Sequence, residues 1–181
     1  MRHFTISELE AGIDRIIDAP AVSGVLALIV RRPSEGEREV LEVGHLDLTE
    51  GLLGDSWKLR TAPVGGERDP YNQINVMSAR SISLIAGEPD RWPLAGDQLY
   101  LDFDISEDHV PAGSQIAVGE TVIEVSAMPH TGCQKFSQRF GVDALRFVNS
   151  EAGRKLRLRG FNARVIVPGK VRTGDAVRKQ A

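Results

Sequence analysis

The sequence is poor in cysteine, and Cys133 is the only one among its 181 residues. A single thiol cannot form an internal disulfide, and it cannot serve a dithiol redox enzyme, which needs a second cysteine. A structural zinc site is also excluded in its usual form, because such sites take about four ligands, typically two or more of them cysteine. The thiol chemistry open to the chain is therefore that of one sulfur atom.

Long apolar runs and aromatic residues are also scarce. The most apolar stretch, VSGVLALIV, is far shorter than the roughly 18 to 20 residues that cross a bilayer. The N-terminal residues mix acids into their apolar pattern, which differs from the pattern of a secretory leader. Aromatic residues make up 6% of the chain, which leaves few stacking platforms for bases. We therefore expect a cytoplasmic protein that binds no membrane, and we do not expect nucleic acid as its main partner.

The net charge of −3 conceals an asymmetry along the chain. Residues 1–128 hold 10 Lys and Arg against 22 Asp and Glu, a net −12, whereas residues 129–181 hold 12 against 3, a net +9. Cys133 thus lies in the basic part of the sequence, and positive fields concentrate anionic partners. The alternative is that these charges spread over a solvated surface after folding. A small anionic molecule is the partner that this pattern favours.

The periodicity predicts one domain over residues 1–181, with a core at about 20–178, that is mainly β with a few short helices (α+β). Short alternating segments separated by turn residues are typical of an antiparallel meander or a barrel. Two of the predicted strands, joined by RPSEGE, form a hairpin. Strands are predicted for SGVLALIVRR, EREVLEV, DQLYLDFDIS, SQIAVG and TVIEVSAM, and three more for RGFNARVIVPGKVRTGDAVRKQ.

The N-terminal region predicts one amphipathic helix that ends before Pro20, with Ser7 and Glu10 spaced as a capping box. Residues 44–77 are rich in Gly, Pro and Asp and show no sustained period. Loops of this length are uncommon in compact domains and are usually binding loops or disordered. We predict a long functional loop that leads into a short strand at 73–76.

Two further regions have helical spacing. SARSISLIAGE predicts a helix capped by Ser78 and ended by Gly87. After Cys133 the apolar residues recur at helical intervals, and Gly141 predicts a break into two short helices. Cys133 is therefore expected at the start of a helix.

Cys133 has the surroundings that a reactive cysteine requires. Only a thiolate is a good nucleophile or soft-metal ligand, and nearby cations or a helix N-terminus favour that form. His130 and Lys135 lie close in sequence to Cys133, and Arg139 follows on the predicted helix. Gly132 leaves room for another molecule to approach the backbone. The alternative is that Cys133 is a buried core residue, as free cysteines often are.

The number of ligands limits the work that one thiol can do. A cysteine hydrolase needs a histidine and an orienting group, and the histidines carry no diagnostic signature, so this option stays open without support. Two roles need only one thiolate: carrying a sulfur atom as a persulfide, and donating one sulfur ligand to a metal whose other ligands belong to a cofactor. The candidate histidines are His3, His45, His109 and His130.

The C-terminal motifs resemble a known family. The stretch from PHTGCQKF to RTGDAVR is similar to the C-terminal half of a MOSC domain, the module at the C-terminus of molybdenum cofactor sulfurases and in small bacterial proteins. GLLGDSWK and QINVMS resemble the first half of that family in the same order. The specific combination is Gly-Cys-x-Lys, Arg-Phe-Gly, Arg-Gly and Gly-x-Val-x-x-Gly-Asp.

This resemblance implies a barrel similar to the pyruvate kinase β-barrel, with Cys133 as the cysteine that carries sulfur or ligates molybdenum. Family members are proposed to take sulfur from a pyridoxal phosphate-dependent cysteine desulfurase and to pass it to a metal-sulfur or molybdenum acceptor protein. Relatives that keep molybdopterin bound reduce N-hydroxylated compounds. The pyridoxal phosphate would belong to the partner desulfurase, whereas molybdopterin would bind here.

Further residues are expected to contact the bound molecule. RKLRLRG predicts a strand with Arg157 and Arg159 on one face, where they would bind anionic groups together with Arg139; the alternative is an edge strand protected by charge. Asp55 would reach the pocket rim, or it would lie in a plain turn. Asn75 could hydrogen bond to the ligand, but the sequence favours an internal strand or turn role for it. The rival to all these roles is a non-catalytic module that holds an anion or nucleic acid on its basic C-terminal region.

Overall fold

The computed structural model describes residues 2–59 and 70–180, and these form a closed barrel with short helices outside it. Seven strands follow each other around the barrel in the order β11-β7-β8-β9-β5-β6-β1, and pairing of β11 with β1 closes it. The β5 and β6 strands are parallel and the other neighbours are antiparallel, with β2 added beside β1. The strands are β1 Gly24–Arg31, β2 Glu39–Leu41, β3 Val43–Asp47, β4 Gly51–Leu52, β5 Ile74–Ser78, β6 Leu99–Asp102, β7 Gln115–Val118, β8 Thr121–Val125, β9 Phe161–Val167, β10 Gly169–Arg172 and β11 Ala176–Lys179. The prediction of a mainly β barrel with short helices is confirmed.

Short helices cover one side of the barrel. Apolar residues of β1, β5 and β6 alternate between the barrel interior and this outer layer, so that Leu26 is inside whereas Val30, Met77 and Tyr100 pack against the helices. Two apolar clusters result, one within the barrel and one beneath the helices. The helices are α1 Ile6–Ala11, α2 Asp14–Ile17, α3 Ala79–Ala86, α4 Gln134–Phe140, α5 Val142–Asn149 and α6 Glu151–Lys155, with 3₁₀ helices at Pro70–Asn72 and Pro89–Ala95.

Several local predictions are confirmed. The hydroxyl of Ser78 caps α3 by accepting from the Ser81 N–H, and Gly87 ends that helix at a positive φ of 73°. Gly141 separates α4 from α5 at a φ of 98°. The hairpin of β1 and β2 and the three C-terminal strands β9, β10 and β11 are also present.

The N-terminal region differs from its prediction. It forms two short helices, and the capping box belongs to Thr5 and Glu8 rather than to Ser7 and Glu10. Both pairs have the same spacing, but α1 begins at Ile6, so Thr5 holds the N-cap position and Ser7 is already a helical residue. The apolar periodicity therefore located the N-terminal helical region, but it did not identify the residue that caps its first helix.

The predicted long loop at 44–77 is also wrong in part. Its first residues form β3 and β4, which make a separate three-stranded sheet with β10. Both strands are short, with five residues in β3 and two in β4, so the alternation of apolar and polar residues is too brief to predict them. The strand predicted at 73–76 is present as β5, and residues 60–69 lie outside the described part of the chain.

Within residues 2–59 and 70–180, none of the helices is both long and apolar enough to span a membrane.

Candidate functional site

Cys133 lies at the surface, at the first turn of a helix. It is the N-cap of α4, with extended backbone at φ −119° and ψ 177°, and its carbonyl accepts from the Ser137 N–H at 3.1 Å. Its thiol makes no capping hydrogen bond, and the residue is exposed. The interpretation of Cys133 as a buried core residue is therefore wrong, and its sulfur is open to other molecules.

The residue before the thiol is fixed to the next helix. The Gly132 N–H donates to Oδ1 of Asn149 at 2.9 Å, and Nδ2 of Asn149 donates back to the Gly132 carbonyl at 3.2 Å. A Cβ at Gly132 would lie 2.8 Å from Leu145 Cδ1 and 2.9 Å from Val148 Cγ2. The absence of a side chain at Gly132 thus allows the backbone to pack on α5. The space beside Gly132 is filled by this helix and is not open to another molecule, contrary to the expectation.

We expect Gly132→Ala to lower the free energy of unfolding by about 1 to 3 kcal/mol, the usual cost of overpacking. Leu145→Ala in the same chain should recover part of this loss, because it removes the Cδ1 atom that the new methyl group meets. Urea unfolding of both single variants and the double variant measures the coupling. Strictly additive losses would contradict the packing role given to Gly132.

His130 belongs to a buried cluster with Asp97 and Arg159. Nη1 of Arg159 donates to both Asp97 oxygens at 2.9 and 2.7 Å, and Nη2 donates to the Ala95 carbonyl at 3.2 Å. Nδ1 of His130 lies 3.6 Å from Oδ1 of Asp97 and has no hydrogen-bond partner in the described structure. Sequence reasoning missed Asp97, which is fully buried and is the anchor of the cluster.

The charge expected on His130 is not present at neutral pH. Burial is the main cause that lowers the pKa of His130 to about 3, and the positive charges of Arg159 and Arg32 lower it further against the opposite effect of Asp97. The imidazole is therefore neutral under ordinary conditions. His130 does not favour a thiolate at Cys133 through its charge, and it acts as a polar neighbour of Arg159.

Arg159 connects this cluster to the helix that begins after Cys133. Its guanidinium lies over the Phe136 ring at 5.1 Å from the centroid, and Phe136 is in the first turn of α4. Its Nε atom is buried and has no hydrogen-bond partner in the described structure. Arg159 therefore lies against the first turn of α4, and its Nη1 is occupied by Asp97.

Lys135 and Arg139 lie on α4 and have partners of their own. Nζ of Lys135 is 2.6 Å from an oxygen of Glu35 in an exposed pair. Nη1 of Arg139 donates to the Leu94 carbonyl at 2.6 Å, close to Arg38, whose pKa is lowered by burial and then by Arg139. Neither cation lines the pocket described below, so the structure does not bring them together with Arg157.

Asp55 and Asn75 form part of a buried polar network instead of a pocket rim. Asp55 accepts from Nε and Nη2 of Arg32, both at 2.9 Å, and its side chain is fully buried. Nη1 of Arg32 donates to Oδ1 of Asn75 at 2.9 Å, and Nδ2 of Asn75 donates to Oδ1 of Asn162 at 2.7 Å. The expectation that Asp55 reaches the rim is wrong, because every oxygen of its carboxylate already binds Arg32.

The same network fixes the backbone that leads to Cys133. Nδ2 of Asn162 donates to the carbonyls of Met128 at 3.1 Å and Pro129 at 3.3 Å. Together with the clamp of Asn149 on Gly132, this holds the segment between β8 and α4 at two points. Asn162 was missed from the sequence, where a polar residue inside the apolar strand FNARVIV was the available signal.

A cavity of about 350 Å³ opens beside this segment. Arg157 lies in the turn after α6 with a φ of 49°, so the prediction of a strand with Arg157 and Arg159 on one face is wrong. The turn is set by hydrogen bonds that local alternation does not reveal, such as Leu158 N–H to the Gly153 carbonyl at 2.8 Å. The polar residues that line the cavity are Glu107, Ser126, His130, Thr131, Arg154, Arg157 and Arg159, and Cys133 is not among the lining residues.

The described residues hold no group of three or more His, Cys, Asp or Glu side chains that could bind a metal ion by themselves.

Comparison of the structure with solved structures identifies the fold. It is similar to the YuaD protein from Bacillus subtilis, with a TM-score of 0.66 and 18% identity over 86% of this chain and 94% of that chain. It is also similar to YiiM from Escherichia coli, with a TM-score of 0.55 and 20% identity over 87% of this chain and 70% of that chain. YiiM from Geobacillus stearothermophilus gives a TM-score of 0.53 and 14% identity over 87% and 73% of the two chains.

No curated protein matches the chain. The sequence profile of the MOSC domain, however, matches residues 60–178, which include Cys133, the arginine-lined cavity and the strands β5 to β10. The match covers more than half of the chain and agrees with the motifs around Cys133. The chain therefore belongs to the MOSC domain family.

Proposed function

We propose that this protein carries sulfur on Cys133 or binds a molybdenum cofactor through that thiol. The observation that carries the proposal is the exposed sulfur at the end of a segment held at two points, beside a cavity lined by three arginines. A sulfur carrier needs an accessible thiol, and a fixed segment keeps the thiol in one place. Membership of the MOSC domain family supports the same reading.

As a carrier, Cys133 would be loaded by exchange between sulfur atoms. Its thiolate would attack the outer sulfur of a persulfide on a cysteine desulfurase, which forms a new S–S bond here and releases the thiolate of the desulfurase. This step needs no external oxidant or reductant, because one S–S bond replaces another. The acceptor would be a metal-sulfur or molybdenum protein, and the pyridoxal phosphate would stay on the desulfurase.

The residues present also fit a molybdenum cofactor. Cys133 would donate one soft sulfur ligand, and the guanidinium groups beside the cavity, above all Arg157 and Arg159, would contact the anionic part of the cofactor. When bound, such a group supplies a redox-active metal centre. In that case the protein would be a component of a molybdopterin-dependent reductase of N-hydroxylated compounds.

Two measurements on purified protein test the proposal and separate its two forms. Metal analysis of native wild-type protein and of Cys133→Ser should show molybdenum only in the wild type if a cofactor is held. Incubation with a desulfurase and cysteine should add the mass of a sulfur atom to wild-type protein if it is a carrier. A protein that gains neither molybdenum nor sulfur would leave the non-catalytic anion-binding or nucleic-acid-binding module as the better account.

A further inference from the structure

Four arginines bind the C-terminal end of the 3₁₀ helix at Pro89–Ala95. Four successive backbone carbonyls, those of residues 93–96, each accept a hydrogen bond from a different guanidinium group. In the order of these carbonyls, the donors are Nε of Arg38 at 3.2 Å, Nη1 of Arg139 at 2.6 Å, Nη2 of Arg159 at 3.2 Å and Nη1 of Arg32 at 2.8 Å. The β1–β2 hairpin, α4 and the turn after α6 thus bring four positive charges to one place.

Buried aspartates neutralise two of these four charges. Arg32 and Arg159 each form a buried ion pair with an aspartate. Arg38 and Arg139 differ from them, because no carboxylate oxygen of the described residues comes within the 4.0 Å of an ion pair with either guanidinium. The cluster therefore keeps an excess of two positive charges.

The two unpaired cations are close enough to affect each other. Both are half-buried. Burial is the main cause that lowers the pKa of Arg38, and the positive charges of Arg139 and Arg32 lower it further against smaller opposite effects of Tyr100 and Asp55. A backbone carbonyl is a dipole and does not cancel a full charge. Two half-buried like charges in this position are stabilised by an anion between them.

The space between the two guanidinium groups is open because residue 96 is a glycine. The position that a Cβ would take on Gly96 lies 3.3 Å from Nη2 of Arg38 and 3.9 Å from Nη1 of Arg139, so these nitrogens are less than about 8 Å apart. One oxyanion spans such a gap with a charge-assisted bond of about 2.8 Å on each side. Nη2 of Arg38 and both Nε and Nη2 of Arg139 donate to none of the described residues, and none of the three is a buried atom.

We propose that Arg38 and Arg139 bind a small dianionic oxyanion, a phosphate or sulfate group, between the β1–β2 hairpin and α4. Two negative charges match the excess of two positive charges, and the oxygens of a tetrahedral group can accept from both guanidinium groups at once. The group belongs to a free anion or to a small phosphate monoester, which share this chemistry. Neither arginine lines the cavity beside residues 126–131, and the site does not involve Cys133.

Calorimetric titration at low ionic strength tests the inference with four probes: inorganic phosphate, sulfate, phenyl phosphate and acetate. At about pH 8 the phosphate probes are mainly dianions. We expect phosphate or sulfate to bind at least about tenfold more tightly than acetate, because one negative charge neutralises only one of the two cations. Tighter binding of phenyl phosphate than of inorganic phosphate identifies a monoester, and the reverse identifies a free anion. A wild-type protein that binds none of the dianions, or binds acetate as tightly, would overturn the proposal.

Substitutions locate the bound anion. Arg38→Gln and Arg139→Gln should each weaken the dianion about tenfold or more, whereas Arg172→Gln, which removes an exposed cation on β10, should leave its affinity unchanged. The two arginines lie on different elements, so that one variant remains informative if the other does not fold. Unchanged affinity in both variants would overturn the site. Loss of binding in Arg157→Gln alone would also overturn it, because the anion would then lie in the cavity beside residues 126–131.

Sulfur loading is measured separately, so that this inference and the proposed function fail independently. Cys133→Ser should bind the dianion as tightly as the wild type does. A protein that loads sulfur on Cys133 but binds no dianion overturns the arginine site alone. Dianion binding that depends on Arg38 and Arg139, in a protein that takes up neither sulfur nor molybdenum, overturns the proposed function alone.

Discussion

Asp55→Ala is expected to lower the free energy of unfolding by about 3 to 5 kcal/mol, the largest stability loss that the structure predicts for a single charge. The side chain of Arg32 is only 3% exposed, and that of Asp55 is fully buried. Removing the carboxylate leaves a buried guanidinium without its counter-ion and deprives the backbone N–H groups of Arg32 and Trp57 of their acceptor. The loss therefore combines an unpaired charge with unsatisfied donors.

A second ion pair on the neighbouring residue gives the matched control. Arg31 binds Glu39 across β1 and β2, and this pair is exposed. Glu39→Ala should cost less than about 1 kcal/mol, because exposed ion pairs contribute little. Urea unfolding of the two variants compares buried with exposed pairing at adjacent positions. If Asp55→Ala costs no more than Glu39→Ala, the network does not stabilise the barrel as described.

Acidification is expected to destabilise the wild-type protein more steeply than His130→Gln. The folded-state pKa of His130 is lowered to about 3, below its ordinary value of 6.5, so the unfolded chain binds the proton first as the pH falls. The stability due to neutral His130 is fully present above about pH 6.5 and is lost progressively as the pH falls toward 3. At about 1.4 kcal/mol for each pH unit, this loss is on the order of 2 to 3 kcal/mol between pH 7 and pH 4.5.

The measurement is the free energy of unfolding in urea at pH 7 and at pH 4.5 for both proteins. The carboxylates titrate in both proteins alike. The difference between the two proteins in the stability lost from pH 7 to pH 4.5 therefore reports on residue 130. The wild type should lose about 2 to 3 kcal/mol more than the variant between the two pH values. Equal losses would show that His130 accepts its proton as easily in the folded protein as in the unfolded chain.

The parts of the fold that local chemistry determines could be predicted from the sequence. Ser78 and Gly87 bound α3 because a hydroxyl cap and a left-handed glycine act within a few residues. Gly141 separates two helices for the same reason. The capping box was predicted two residues too late. Thr5 with Glu8 and Ser7 with Glu10 satisfy the same spacing rule, and only the folded chain shows that the helix begins at Ile6.

The parts that depend on long-range contacts could not be predicted. Leu156 and Leu158 alternate with Arg157 and Arg159 as in a strand, but bonds to Gly153 and Val110 fold these residues into a turn. Asp97 meets Arg159 only because its loop approaches the turn after α6, and a lone aspartate in AGDQLY has no local signal. The burial of Asp55 could not be predicted, because its partner Arg32 lies 23 residues away in the sequence.

The place of Cys133 at the start of a helix was predicted correctly, whereas the expected surroundings of its thiol differ in part. The basic C-terminal region does surround a cavity, as the charge asymmetry favoured. However, burial makes His130 neutral, and Glu35 balances Lys135. The sequence shows which charges are near in the chain, whereas desolvation and distant partners decide which of them reach the thiol.

The most direct test of the central claim is mass spectrometry of the peptide that contains Cys133, after incubation with a desulfurase and cysteine under conditions that preserve persulfides. The account predicts one added sulfur atom on Cys133, sensitive to a reducing agent and absent from Cys133→Ser. If Cys133 remains an unmodified thiol throughout, in a native protein that also contains no molybdenum, the claim that Cys133 is the working group of this protein is wrong.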